Sequence, residues 1–106
     1  MKDSLYFECH ITLDPVFDEK LMKLQELCKN FKFKVAKLLY RKRQDEDCVI
    51  STDDSFCTGH ASSLEDITQR MLALIVTLKE NGYKIIRYKI ENIIIDSRMK
   101  DVYNKL

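Results

Sequence analysis

Glu8, His10 and Thr12 stand at every second position of Leu5–Leu13, so a strand there presents an acid, an imidazole and a hydroxyl on one side. Tyr6 joins them, while Leu5, Phe7, Cys9, Ile11 and Leu13 are apolar and take the other side. A second comb with the same period, Arg87, Lys89 and Glu91, runs through Ile85–Ile93. Imidazole ionises near neutrality, which makes His10 the acid/base candidate. Arg87 offers a planar fork suited to phosphate or carboxylate, and Lys89 a point charge. Thr12 can donate to a phosphate oxygen. Glu8 and Glu91 can orient His10, hold the cations in place or coordinate a metal. The set suits an anionic ligand, most simply a phosphate ester or nucleotide.

The elements that must position these groups follow from periodicity and end signals. Asp14-Pro15 closes the first strand and is expected to open a helix, with Asp14 as N-cap and Pro15 in the first turn. Phe17, Leu21, Leu24, Cys28 and Phe31 form its apolar stripe, and Asn30 is a stop. A second strand is expected over Lys34–Arg43 and a charged turn at Gln44–Asp47. A third strand is expected at Ser55–His60, with either Cys57 or the pair Phe56 and Thr58 facing inward. Ser62-Ser63-Leu64-Glu65 reads as a capping box with Ser62 as N-cap. The helix it opens carries Leu64, Ile67, Met71, Leu74 and Leu78 on one face, widened by Leu72, Ile75 and Val76, and ends at Asn81-Gly82. A fourth strand lies within Tyr83–Ile95, and residues 96–106 form a tail or one short helix.

The order β-α-β-β-α-β is the ferredoxin-like arrangement, an α+β sandwich with two helices on one face of a four-stranded antiparallel sheet. In it the first and third strands are central and the fourth flanks the first. Glu8, His10 and Thr12 then lie beside Arg87, Lys89 and Glu91 on the open face, with Ile86, Tyr88 and Ile90 on the helix side. His60, at the end of an antiparallel third strand, is expected well away from His10. Two other uses of this face compete with an anion site. Cross-strand charge pairs stabilise a solvated sheet at roughly 0.2–1 kcal/mol each. The face also suits a homodimer or other assembly surface, since Tyr6, Ile85 and Ile93 are expected on it and a two-fold interface pairs one patch with itself.

His10-Ile11-Thr12 has the form His-x-Thr and His60-Ala61-Ser62 the form His-x-Ser. Two such motifs resemble those of the two-histidine (2H) phosphoesterases. That resemblance implies a phosphodiester substrate, His10 and His60 as the acid/base pair, and Thr12 and Ser62 as phosphate ligands. A homodimer would bring two copies of the first motif together in a chain long enough for one lobe.

The 106 residues suffice for a single domain, expected over residues 1–95. A net charge of +1 advertises neither nucleic acid nor an anionic membrane, and no run approaches the roughly 18–20 apolar residues of a span. Cytoplasm is the default in the absence of an apolar leader, and Cys9, Cys28, Cys48 and Cys57 are then reduced thiols. Nucleic acid is not favoured: the first strand lacks paired exposed aromatics for base stacking, and Arg41-Lys42-Arg43 beside Asp45-Glu46-Asp47 reads as a solvated hairpin tip. Cys57-x-x-His60 supplies one fragment of a zinc-type pair, so no metal or cofactor is expected. Gly59 is read as a turn between the third strand and the second helix.

Overall fold

The computed structural model describes residues 5–36 and 54–95. Its elements are β1 (Tyr6–Leu13), α1 (Asp18–Lys29), β2 (Phe33–Val35), β3 (Ser55–Ala61), α2 (Leu64–Glu80) and β4 (Ile85–Ile93). The four strands form one antiparallel sheet in the order β2-β3-β1-β4, which makes β3 and β1 central and sets β4 against β1. The expected strand residues 37–43, the charged turn, Cys48 and the C-terminal segment 96–106 lie outside the described residues. Among the described residues, no helix is long and apolar enough to cross a membrane.

Alternation along β1 sorts its side chains by type, although Thr12 on the open face is also buried and Phe7 on the apolar side only half-buried. Cys9, Ile11 and Leu13 are fully buried and share one core with Cys57 of β3 and Phe33 and Val35 of β2. Leu24 and Cys28 of α1, with Ile67, Met71, Leu74, Ile75 and Leu78 of α2, close this core from one side. Leu64, Leu72 and Val76 do not join it; each is at least half exposed on the outer side of α2. The facing of β3 is resolved in favour of Cys57: Ser55, Cys57 and Gly59 point to the helices, while Phe56, Thr58 and His60 alternate onto the other face.

Three local expectations are corrected. First, α1 does not start at Asp14-Pro15. The chain continues through Asp14–Phe17, tied down by Asp14 N donating to Lys84 O and Val16 N to the Ser55 hydroxyl. It turns only at Asp18, which adopts a left-handed φ of 55°. Phe17 is therefore the N-cap, is exposed, and makes no side-chain capping bond. Second, the α2 cap moves by one residue: the Ser63 hydroxyl accepts from Asp66 N, and Ser62 is exposed outside the helix. The acid three residues after the cap is Asp66, so Glu65 belongs to the first turn without closing a box. Third, Gly59 is no turn. It sits inside β3, opposite Cys9 and Phe33, and a Cβ there would come 2.7 Å from the Phe33 ring. The residue is small because a buried aromatic lies on it. The conformational freedom is used instead at Gly82, where φ is +86° after α2.

Candidate functional site

Directly opposed residues of antiparallel strands share a face, so the pairing register arranges the open face in rungs. One rung is Arg87–Thr12–Phe56, across β4, β1 and β3. The next is Lys89–His10–Thr58–Lys34, across all four strands. A third is Glu91–Glu8–His60, and beyond it Ile93 faces Tyr6. Every expected open-face residue of β1 and the comb Arg87, Lys89, Glu91 thus lie together. Ile85 does not. The β1–β4 register shifts between Thr12 and Leu13, so Ile85 pairs with Leu13 and packs against the core while Ile86 becomes the extra residue, 48% exposed.

The register also brings together what the sequence reading kept apart. Glu8 lies opposite His60, and each histidine reaches a different oxygen of its carboxylate. His60 Nε2 donates to Glu8 Oε2 at 3.0 Å, and His10 Nε2 stands 3.5 Å from Glu8 Oε1. The Tyr6 ring meets His60 edge-on, with ring centroids 5.2 Å apart. Arg70 of α2 donates to the His60 and Phe31 carbonyl oxygens, which ties the end of β3 to the turn after α1. Ser62 lies beyond the end of β3 and is exposed.

His10 is the hub. Its Nε2 is 3.1 Å from Glu91 Oε1, and its Nδ1 is 3.3 Å from the Thr58 hydroxyl. An ionised carboxylate only accepts, so in the neutral ring the proton sits on Nε2 and points to Glu91; Nδ1 then accepts from Thr58. This hydroxyl–imidazole–carboxylate chain leaves the basic nitrogen toward Thr58. Lys89 bonds Glu91 Oε2 at 3.2 Å. That ammonium, with a smaller effect from His10, holds the Glu91 carboxyl below the usual carboxylate range.

Beside His10 the face is hollowed into a groove of about 490 Å³ lined by His10, Thr12, Ala36, Phe56, Thr58, Arg87 and Lys89. Two cations and two hydroxyls converge there, with the exposed edge of Phe56 as an aromatic wall. Arg87 has no ion-pair or hydrogen-bond partner among the described residues. The face is therefore polarised: cationic and hydroxyl-rich along the groove, acidic and imidazole-rich at the other end, with His10 at the boundary.

Thr58, Phe56 and Lys34 were not among the expected site residues. Alternation of Ser-Phe-Cys-Thr-Gly-His offers similar residues to both faces, so only the tertiary pairing picks one. Cys57 and His60 point to opposite faces and do not converge, which disposes of the Cys-x-x-His pair. Cys9, Cys28 and Cys57 are free and buried, with Cys28 Sγ 3.4 Å from Cys57 Sγ. Burial pushes the Cys9 thiol up to about 12. The Cys28 hydrogen bond, and then burial, raise Cys57 further.

No protein-family model matches the sequence, and no curated protein matches it significantly.

Proposed function

We propose that the open sheet face binds a phosphorylated, nucleotide-like ligand, with the phosphate in the groove between Arg87, Lys89, Thr12 and Thr58. The single observation that carries this reading is the groove itself: cations and hydroxyls lie on one concave surface, and Arg87 is uncommitted among the described residues. Arg87 supplies a fork for two phosphate oxygens, Lys89 a charge and the threonines neutral donors. Phe56 offers a wall for a base. Glu8 engages both histidines and neither Arg87 nor Lys89; Lys89 pairs with Glu91 on its own strand, which leaves Arg87 as the uncommitted cation among the described residues.

Phosphoester hydrolysis is the activity that fits beside binding. His10 is the proton-transfer group, because Glu91 fixes its tautomer and leaves Nδ1 on the groove side. The likeness to the two-histidine phosphoesterases draws support from His10 and His60 sharing Glu8, whereas Ser62, the second motif's hydroxyl, is replaced at the groove by Thr58. The fold is proposed as ferredoxin-like, on the element order and the central position of β1 and β3. A protein-interaction or homodimer module is the rival use of the same face; light scattering gives the oligomeric state directly.

A thermal-shift screen against nucleotides, cyclic dinucleotides and inorganic phosphate tests the reading. The expected result is stabilisation of the wild type that Arg87→Ala abolishes. For hydrolysis, His10→Gln lowers turnover of a ligand that binds by about 10²–10⁴-fold while leaving binding in place. No shift with any phosphate compound overturns the proposal and leaves the assembly module.

A further inference from the structure

The acidic end of the face carries an independent feature. Glu8 Oε1, His10 Nε2 and Glu91 Oε1 converge, one atom from each residue, all within 4.8 Å of one another. His10 Nε2 lies 3.1 Å from Glu91 Oε1 and 3.5 Å from Glu8 Oε1. Metal–ligand bonds of about 2.0–2.2 Å separate neighbouring donor atoms by about 3–3.6 Å around a four- to six-coordinate ion. The two distances from His10 fall in that interval, and the two carboxylates stand within 4.8 Å of each other. We infer that Glu8, His10 and Glu91 form a binding site for a divalent first-row transition cation of the zinc type.

Three further observations support it. Glu8 and Glu91 are directly opposed across β1 and β4, a like-charge pairing that a cation between them would relieve beyond what Lys89 supplies. Two carboxylates and a neutral imidazole balance a dication, and an imidazole in the set selects a transition ion over calcium or magnesium. Most specifically, the outward atom of each ligand is already held by a different residue. Glu8 Oε2 accepts from His60, Glu91 Oε2 from Lys89, and His10 Nδ1 faces the Thr58 hydroxyl. This is the outer ring of contacts that orients metal ligands. Lys89 occupies only the far oxygen of Glu91, so it compensates charge without filling the space between the converging atoms.

Binding would use the Nε2 lone pair of His10. The imidazole then carries its proton on Nδ1 and donates to Thr58 Oγ1, the reverse of the tautomer that the metal-free contacts favour. Three protein ligands leave coordination positions for water or for an oxygen of a ligand, and the groove begins at His10 itself. The metal ligands are Glu8, His10 and Glu91 and the phosphate ligands Arg87, Lys89, Thr12 and Thr58, but the two sites adjoin: Lys89 also contacts Glu91, and Thr58 contacts His10. A cation on Nε2 leaves His10 protonated on Nδ1, so His10 serves as groove base only in the metal-free protein.

Calorimetric titration of the whole 106-residue chain with Zn²⁺, followed by Co²⁺ absorption spectroscopy, tests the inference. The expected result is one ion per chain and weak visible Co²⁺ bands without the intense near-ultraviolet thiolate transitions. Glu91→Gln and His10→Ala weaken binding at least tenfold, and His60→Ala weakens it about 10-fold as an outer contact. Far-ultraviolet circular dichroism of metal-free Glu91→Gln, a conservative change at a part-exposed position, separates loss of the site from loss of the fold. In wild-type protein, the ¹⁵N shifts of the His10 ring report the expected move of the proton to Nδ1. No binding at millimolar Zn²⁺, affinity unchanged in both variants, or thiolate bands that place the ion on cysteines would each overturn the site. Inorganic phosphate titrated into Arg87→Ala reads the groove separately: phosphate binding lost with Zn²⁺ binding intact leaves both readings standing, and failure of one does not imply failure of the other.

Discussion

The two sides of β1 are built from alternate residues of one eight-residue strand, yet they obey different rules. Cys9, Ile11 and Leu13 have no exposed surface and are fixed by volume. Glu8 and His10 keep part of their surface in water and are fixed by charge and hydrogen bonds. A residue on the first side is replaceable only by something of its own size. Glu8 or His10 on the second side is replaceable at little cost to the fold, its identity set by what it holds, whereas Thr12 on the same side is itself buried. Stability and binding should therefore separate cleanly along a single strand.

The strongest way to break that separation is to remove volume. Ile11→Ala should destabilise the protein by about 2–5 kcal/mol in urea unfolding, since Ile11 has no exposed surface and belongs to the single core cluster. A cost no larger than that of an open-face substitution would erase the distinction between the sides. Adding volume comes next. Gly59→Ala puts a methyl against the Phe33 ring, itself 3% exposed and capped by the Arg70 guanidinium, so the ring cannot move aside cheaply. A loss of about 1–3 kcal/mol is expected, recovered in part by Phe33→Leu in the same chain.

Alkaline pH probes the buried side without mutation. Cys9, with its thiol near 12, and Cys57, raised by Cys28 and burial, stay protonated in the native state while unfolded thiols ionise from about pH 8.5–9. The unfolded chain then binds fewer protons than the native one, so stability is intact below that range and falls above it. Each such thiol steepens the fall by up to about 1.4 kcal/mol per pH unit until its native pKa is reached. Chemical denaturation between pH 8 and 11, repeated with Cys9→Ala, checks the slope. The smallest effect belongs to the open side: Arg87→Ala should change unfolding free energy by less than about 0.5 kcal/mol while removing phosphate binding. A larger loss would mean that Arg87 supports the fold.

How much of this could be read from the residues follows the same division. Alternation along β1 was legible because its two residue classes contrast sharply, and the α2 core face because Ile67, Met71, Leu74 and Leu78 recur at helical spacing. The phase of β3 was not, since Phe56, Cys57 and Thr58 could each face either way. The proximity of His60 to Glu8 was hidden for a different reason. Period fixes which side a residue takes, but not which residue of another strand stands opposite, and the β1–β3 register that sets Glu8 against His60 is fixed only in the folded sheet. The start of α1 was misplaced because Asp14 and Pro15 are good helix openers locally. Backbone bonds to Lys84 and Ser55 outweigh that preference by holding the segment to the sheet. Ser62 and Ser63 are equivalent cap candidates by composition, and only the Asp66 contact distinguishes them.

The register shift on β4 has a consequence at the level of the gene. Arg87, Lys89, Glu91 and Ile93 keep step with β1, and Ile85 regains step by pairing with Leu13, with Ile86 left over between them. Loss of the Ile86 codon would leave every paired residue on its present side. Loss of any single codon from Arg87 to Asn92 would turn the residues on one side of the gap over, exchanging isoleucines for charges. Shortening this strand by one residue is thus compatible with an intact open face at one position, Ile86.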